Sequence, residues 1–343
     1  MKRLLNTLYV TTQGAYLARD GDSVAVRVDG KAALHVSARA LGGVVCFGQV
    51  SCSPPMLSLC AEQDVAVSFL SQNGRFWGRV QSPVSGNVRL RREQYRRADR
   101  PDASADLARS FLAGKIANCR AVLRRAARDH AESADDAALA AAADALTHTL
   151  TSLARPLRLA ALRGIEGDAA GLYFGVFDHL VVAQKADFFF RQRSRRPPLD
   201  NMNALLSFLY TLLAHDVASA LEAVGLDPQV GFLHRDRPGR PSLALDVMEE
   251  LRPVLADRLA LNLINRRQVA PGGFQATETG AVVMDDRTRK VVLVAYQERK
   301  REELRHPFLD ERIAAGLLPH AQALLLSRHL RDDLDAYPPF LWR

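Results

Sequence analysis

The texture of the chain changes once, near residue 90, and that change limits the architectures open to it. From Leu4 to about Val88 the sequence runs in short β-rich segments, LYVTT, SVAVRV, ALHVS, GVVCFG and VAVSFL, separated by Gly, Asp, Asn and Pro. Apolar runs bounded by turn residues predict strands, here too brief and too unevenly spaced to assign a topology. One short helix is predicted among them, from Pro55 to Glu62. Beyond residue 101 the period becomes helical. Leu107, Phe111, Ile116, Val122 and Leu123 recur at helical spacing in a segment that Asp102 or Ser104 can cap. The alanine-rich stretch from Ala137 to Ala145 is helix by propensity. Further helices are predicted over Ala204 to Val224, Ala244 to Asn265 and Ile313 to Asp332, with Gly225 at a C-terminal cap of the first and Pro253 interrupting the second. AVVMDD and KVVLVAY, between Gly272 and Tyr296, flank an Asp-rich turn and read as a hairpin inserted into the helical part.

The expected fold class is therefore α+β: an N-terminal β-rich domain, residues 1–90, followed by a larger, mainly α-helical C-terminal domain, residues 104–343. The basic segment RLRREQYRRADRP shows no apolar stripe, so residues 91–103 read as a linker. A chain of 343 residues with 48% hydrophobic content suffices for two cores. The aromatic, proline-rich tail DAYPPFLWR is expected to pack as a terminal clasp.

A formal net charge of +8 points to a polyanionic partner, of which nucleic acid is the commonest. The phosphate-contact candidates are Arg89, Arg91, Arg92, Arg96 and Arg97 at the hinge, and Arg120, Arg124, Arg191, Arg193, Arg195 and Arg196 in the helical part. Lys115 joins Arg120, Arg124, Arg125 and Arg128 in loading one helix with positive charge. Tyr95 and the run Phe188 to Phe190 have the shape to stack on splayed bases, although three consecutive phenylalanines more often belong to a core. Cys46, Cys52, Cys60 and Cys119 form no CxxC pair, so they read as reduced, packed thiols of a cytoplasmic protein. The N-terminus begins basic but is broken by polar residues before any apolar core of a leader, and no later run is read as a membrane span.

GxGxxG, GxxxxGK[ST] and GxSxG are absent, which argues against dinucleotide, P-loop and α/β-hydrolase chemistry. His130, His148, His179, His215, His306, His320 and His329 are scattered and read as structural or solvated. The stretch GFLHRDRPGRPSLALDVMEELRP differs. His234 ends an apolar run, a turn rich in Arg, Pro and Gly follows, and Asp246 and Glu249 stand three apart on one helix face. Upstream, Glu166 sits in LRGIEGDAA beside glycines that let a bulky phosphate approach the backbone. One imidazole with two or three carboxylates suits Mg²⁺ or Mn²⁺ better than structural zinc.

Five blocks, GKIANCRAVLRR, LRGIEGDAA, RRPPLDNMNALLSFLYTLL, the run from Gly225 to Arg266, and the run from His306 to Arg343, resemble the CRISPR-associated spacer-acquisition integrase and endonuclease, the first-numbered and near-universal CRISPR-associated family. The last block looks most like members that accompany the I-C subtype. The resemblance implies an antiviral adaptation enzyme in which Glu166, His234 and Glu249 hold Mg²⁺ or Mn²⁺ and act in catalysis, with Asp246 a further acidic position near the ion. It also implies a homodimer formed through the N-terminal domain, a heterocomplex with the second-numbered CRISPR-associated protein, and double-stranded DNA as substrate. A 3′-hydroxyl would attack a phosphodiester of the CRISPR repeat. The alternative from composition alone is a DNA-binding scaffold of a nucleoprotein assembly, without chemistry of its own.

Overall fold

The computed structural model describes residues 6–63, 65–72, 74, 76–80, 88–129 and 134–342. Its N-terminal part is two four-stranded sheets. In the first, β2 (Tyr16–Asp20), β3 (Ser23–Val28) and β4 (Lys31–Ser37) form an antiparallel meander, and β6 (Ser51–Cys52) adds parallel to β2. In the second, β1 (Thr7–Val10), β5 (Gly43–Phe47) and β7 (Ala66–Leu70) run parallel, and β8 (Phe76–Val80) returns antiparallel at the edge. Helix α1 (Pro54–Glu62) lies between β6 and β7, its N-terminus capped by Ser53.

Strand β5 joins the two halves. Side chains alternate across a strand, so Val44 and Cys46 enter the core between the sheets while Val45 and Phe47 enter the helical core. Every residue of β5 is buried, as expected of a strand covered on both faces.

The C-terminal part is helical: α2 (Val88–Ala98), α3 (Pro101–Asp129), α4 (Ala134–Ser152), α5 (Leu159–Gly175), α6 (Asn201–Ala223), α7 (Ser242–Arg252), α8 (Arg258–Asn265), α9 (Asp286–Arg301) and α10 (Leu318–Leu330). Two small hairpins are set into it, β9 (Phe274–Ala276) with β10 (Val282–Met284), and β11 (Glu303–His306) with β12 (Glu311–Ala314). The fold is α+β, as expected. Helix α3 is the central rod, with α4, α5 and α7 packed around it. Helix α6 has the length and hydropathy of a membrane span, contrary to the reading of the sequence, but 67% of its most apolar window is buried inside the fold, so it is placed as a core helix.

Three segments differ from expectation. Arg89 to Pro101 is no hinge: it forms α2, anchored by Leu90 and Gln94, which are buried, and turns directly into α3. Gln94 Nε2 donates to the carbonyls of Asp227 and Val230 at 2.7 and 2.9 Å, a tie to a distant loop that no local pattern announces. Ser104 donates back to the carbonyls of Arg97 and Ala98 at the end of α2. KVVLVAY is helix, not strand. Asp285 caps it by accepting from Thr288 N at 2.7 Å, and Val292, Leu293, Tyr296 and Lys300 are buried at helical spacing while Val294, which a strand would bury with Val292, is 50% exposed. Before α10, residues 311–314 are strand rather than helix.

The tail clasps the helical core. Tyr337 and Phe340 are buried, and Glu250 on α7 accepts from Tyr337 Oη, from Gln322 Nε2 at 3.0 Å and from Phe340 N at 2.7 Å. Asn118 of α3 donates to the carbonyls of Glu250 and Phe340 and accepts from Trp342 N at 2.7 Å. The closeness depends on Gly114, where a Cβ would stand 2.8 Å from Glu250 Cβ and 3.0 Å from Pro339 Cβ. Gly114→Ala is expected to destabilise the protein by about 1–3 kcal/mol through overpacking, read as a lowered denaturation midpoint with earlier proteolysis of the tail.

Where β7 meets α6, His215 Nδ1 lies 3.2 Å from Ser68 Oγ, and burial pushes its imidazole down to about 4. An unfolded histidine binds its proton near 6.5, so between these values the unfolded state holds more protons and stability falls as pH falls. His215→Gln is expected to remove up to about one proton from the pH dependence of the melting temperature across this window; an unchanged slope would contradict the assignment.

Candidate metal centre

Three helices and one loop converge beneath the surface of the helical part. On α5 the buried residues Leu162, Ala169 and Tyr173 form a stripe, and Glu166 occupies the missing position of that stripe, four residues after Leu162 and three before Ala169. Helical period alone therefore aims its carboxylate inward. Its side chain keeps 31% exposure.

His234 comes from the loop between α6 and α7, and Asp246 shapes that loop. Asp246 is fully buried. Its Oδ2 accepts from Phe232 N at 2.6 Å and Leu233 N at 3.0 Å, while Oδ1 accepts from His234 N at 2.9 Å. His234 Nδ1 lies 2.6 Å from the same Oδ1. An ionised carboxylate only accepts, so Nδ1 carries a proton, and Nε2 is the ring nitrogen that faces Glu249. Gly231 permits the approach, since a Cβ there would stand 2.8 Å from Asp246 Oδ2 and 2.8 Å from the carbonyl carbon of Ser242.

Glu249 lies one turn further along α7 and is almost entirely buried. Its Oε1 accepts from Arg252 Nη2 at 2.8 Å and is 3.8 Å from His234 Nε2. Its Oε2 is 2.8 Å from Lys115 Nζ, yet among the described residues it has no partner within hydrogen-bond geometry; the contact is close by distance and poor by angle. Burial pushes the Glu249 carboxyl up, but Arg252, Lys115 and His234 outweigh it and hold it well below the usual carboxylate range.

Lys115 also donates to Glu166 Oε1. Burial pushes its ammonium down, and the Glu249 and Glu166 carboxylates more than offset this, so it stays protonated. Arg252 stacks over Tyr210 at 4.7 Å, with Arg193 over the same ring at 5.1 Å. Tyr210 Oη and Tyr173 Oη donate to Asp257 at 2.6 and 3.2 Å. Asp257 ends a π-helical turn, Pro253–Asp257. Pro253 lacks an N–H, and the helix widens there instead of stopping.

Glu166 and Glu249 are thus joined through Lys115 and His234 lies against Glu249, whereas both Asp246 oxygens face the loop backbone and the ring of His234. Among the described residues, no group of three or more His, Cys, Asp or Glu side chains is already drawn to metal-binding spacing. The donor set nonetheless fits Mg²⁺ or Mn²⁺: two carboxylates, one of which keeps a buried oxygen without a directed hydrogen bond, and an imidazole nitrogen. The sequence pattern does not point to Lys115, Arg252, Tyr210 or Asp257 in these places. For Lys115 a signal existed, because it falls four after Phe111 and four before Cys119 on the buried stripe of α3.

The arginine candidates divide. Arg97 is held by Glu93 at 3.0 Å and Asp332 at 2.6 Å with 12% of its side chain exposed, and Arg193 is bonded to Asn203 at 2.6 Å and Ser207 at 3.0 Å. Arg124 reaches Asp144 and Thr147; Arg91 and Arg120 are half-buried. Arg89, Arg92, Arg96, Arg191, Arg195 and Arg196 are exposed. Phe188 and Phe190 are buried core residues; Phe189 is exposed beneath Arg191.

Asp246→Ala would strand three backbone N–H groups and free the His234 ring. At about 1 kcal/mol or more for each unsatisfied donor, a loss of about 3 kcal/mol or more is expected in equilibrium unfolding; a loss under about 1 kcal/mol would show that water replaces the carboxylate.

The family model described as CRISPR associated protein Cas1 matches residues 8–298. A curated relative from Chlorobaculum tepidum, "CRISPR-associated endonuclease Cas1 1", is 53% identical over 343 residues, covering 100% of both chains. Among solved structures, a casposase bound to integration product superposes with a TM-score of 0.84 at 21% identity, over 98% of this chain and 94% of that one. A Cas6-RT-Cas1–Cas2 complex superposes with a TM-score of 0.82 at 21% identity, over 100% of this chain and 36% of that one. The match to the family model over residues 8–298 and the full-length identity to a curated member show that the chain belongs to the Cas1 family of CRISPR-associated proteins.

Proposed function

We propose that this protein is a divalent-metal-dependent DNA endonuclease and integrase of CRISPR adaptation, which inserts captured DNA fragments into the CRISPR array. The observation that carries it is that Lys115 joins Glu166 to Glu249 and that His234 Nε2 lies 3.8 Å from Glu249 Oε1. The endonuclease name of the relative and the casposase held with an integration product support the same reading.

Glu166, His234 and Glu249 would hold Mg²⁺ or Mn²⁺, which when bound lowers the pKa of the attacking hydroxyl and stabilises charge developing on phosphate oxygens. Asp246 is a positioning residue: it fixes the His234 tautomer so that Nε2 is the ligating nitrogen. Arg252 holds Glu249 Oε1. In the reaction a 3′-hydroxyl oxygen of the fragment bonds to phosphorus, the bond from phosphorus to a 3′-oxygen of the repeat breaks, and the proton lost by the attacking hydroxyl is balanced by one gained by the leaving oxygen. One phosphodiester replaces another, so no external energy source is required. With water as the attacking group, the same steps give strand cleavage.

Double-stranded DNA would lie across the exposed Arg89, Arg92, Arg195 and Arg196, whose charges contact phosphates without reading bases. Residues 1–90 would serve as the dimerisation domain and residues 104–343 as the catalytic domain. Trp77 at 60% and Phe76 at 47% exposure on edge strand β8 support a covered surface there. The Cas1–Cas2 assembly among the similar structures supports Cas2 as partner. The free thiols, among them buried Cys46, Cys60 and Cys119, suit the reducing cytoplasm.

The test is strand transfer of a short duplex with free 3′-hydroxyls into a supercoiled plasmid carrying a CRISPR repeat, with Mn²⁺, Mg²⁺ or chelator and with or without Cas2. Joined product is expected only with metal, and Glu166→Ala is expected to lower it at least about 100-fold while leaving DNA affinity within about threefold, the pattern of a group acting in the transition state. DNA binding without joining or cutting under any metal would favour a scaffold.

A further inference from the structure

We propose that Lys115 is the resident counter-cation of the metal site: a positioning residue whose ammonium holds Glu166 and Glu249 together before the divalent ion arrives, competes with that ion for the same carboxylates, and so sets the affinity of the site. The proposal rests on the metal reading above and adds to it the group that tunes the ion's binding.

Lys115 reaches the site from α3, Glu166 from α5 and Glu249 from α7, so its head group is the point at which three helices meet. Only 7% of the side chain is exposed, and an ammonium so enclosed must direct its protons to protein groups. It donates to Glu166 Oε1 and stands 2.8 Å from Glu249 Oε2. The second contact is the informative one. Glu249 Oε2 is buried and lacks any well-directed hydrogen bond, so it is matched in charge but not in geometry. An oxygen in a settled structural ion pair is normally satisfied in both respects. Here its lone pairs face a space that a cation occupies without bonding to it well.

Charge leads to the same place. With Arg252 on Glu249 Oε1 and Lys115 between the two carboxylates, Glu166 and Glu249 are already neutralised. A divalent ion entering beside the ammonium meets like charge at short range, and it gains the full field of both carboxylates only if Lys115 withdraws from at least one. Lys115 therefore keeps the ligands assembled and unsplayed in the metal-free protein and weakens metal binding in return. A purely structural ion pair predicts the opposite: loss of the lysine would loosen the ligands and weaken the metal.

The experiment is a Mn²⁺ titration of the full-length protein, following free Mn²⁺ by electron paramagnetic resonance, together with melting temperatures in chelator and in Mn²⁺. Lys115→Met is expected to bind Mn²⁺ at least about tenfold more tightly than wild type, to melt lower in chelator, and to recover more on Mn²⁺ addition, since a ligand bound by the folded state alone stabilises it. Lys115→Arg, which keeps the charge, should stay within about threefold of wild type. If Lys115→Met does not fold, Lys115→Gln answers the same question, because its amide can donate to a carboxylate without carrying charge. Mn²⁺ binding by folded Lys115→Met or Lys115→Gln that is equal to or weaker than wild type overturns the competitor role and leaves the metal reading standing. Absence of Mn²⁺ binding by wild type overturns both.

Discussion

Sealing a carboxylate from water is costly unless its oxygens find donors, and the site depends on how Asp246 meets that demand. Two oxygens take three backbone N–H groups and one imidazole N–H. Hydrogen bonds to a charged acceptor are the strong kind, and here they convert residues 232–234, a stretch without regular structure, into a rigid mount for His234. The placement of His234 follows from that mount. The tautomer is set, Nε2 is turned toward Glu249, and Gly231 is required because no side chain fits between the loop and the carboxylate.

A second layer of charge surrounds the first. Glu249 is buried against Lys115 and Arg252, Arg252 lies over Tyr210, and Tyr210 is held by Asp257 from the π-helical turn. Removing one member of such a network leaves an uncompensated buried charge, which costs far more than the pair gains over an apolar substitute. The clasp made by Tyr337 and Phe340 on Glu250 closes the far side of α7, so the helix that carries two of the site's carboxylates is fixed from both faces.

Much of this could be read from the chain. The β-rich and helical halves, α1, α3, α4 and α6 follow from local period and turn residues, while Glu166, His234, Glu249 and Asp246 stand out through residue type and the family resemblance. The errors have physical causes. The β-branched run KVVLVAY favours strand by propensity, yet its burial at positions 292, 293 and 296 is helical because tertiary packing outweighs a preference of tenths of a kcal/mol per residue. The basic segment before α3 offered no apolar stripe, since Gln94 anchors it by hydrogen bonds to a loop more than a hundred residues away. Arg97 and Arg193 were grouped with phosphate contacts because charge in a sequence carries no address; both spend it inside the protein.

By itself the sequence determined which helix faces are apolar, where strands give way to helices, and which residue types are present to hold a hard cation, because these follow from period and chemistry within a few residues of each position. Only the tertiary structure decided that Lys115 enters the site from α3, that Asp246 serves the loop rather than facing outward, and that Glu249 keeps one oxygen without a directed partner. Those outcomes depend on distances between segments far apart in the chain and on the exclusion of water around them, and neither quantity exists until the helices have packed.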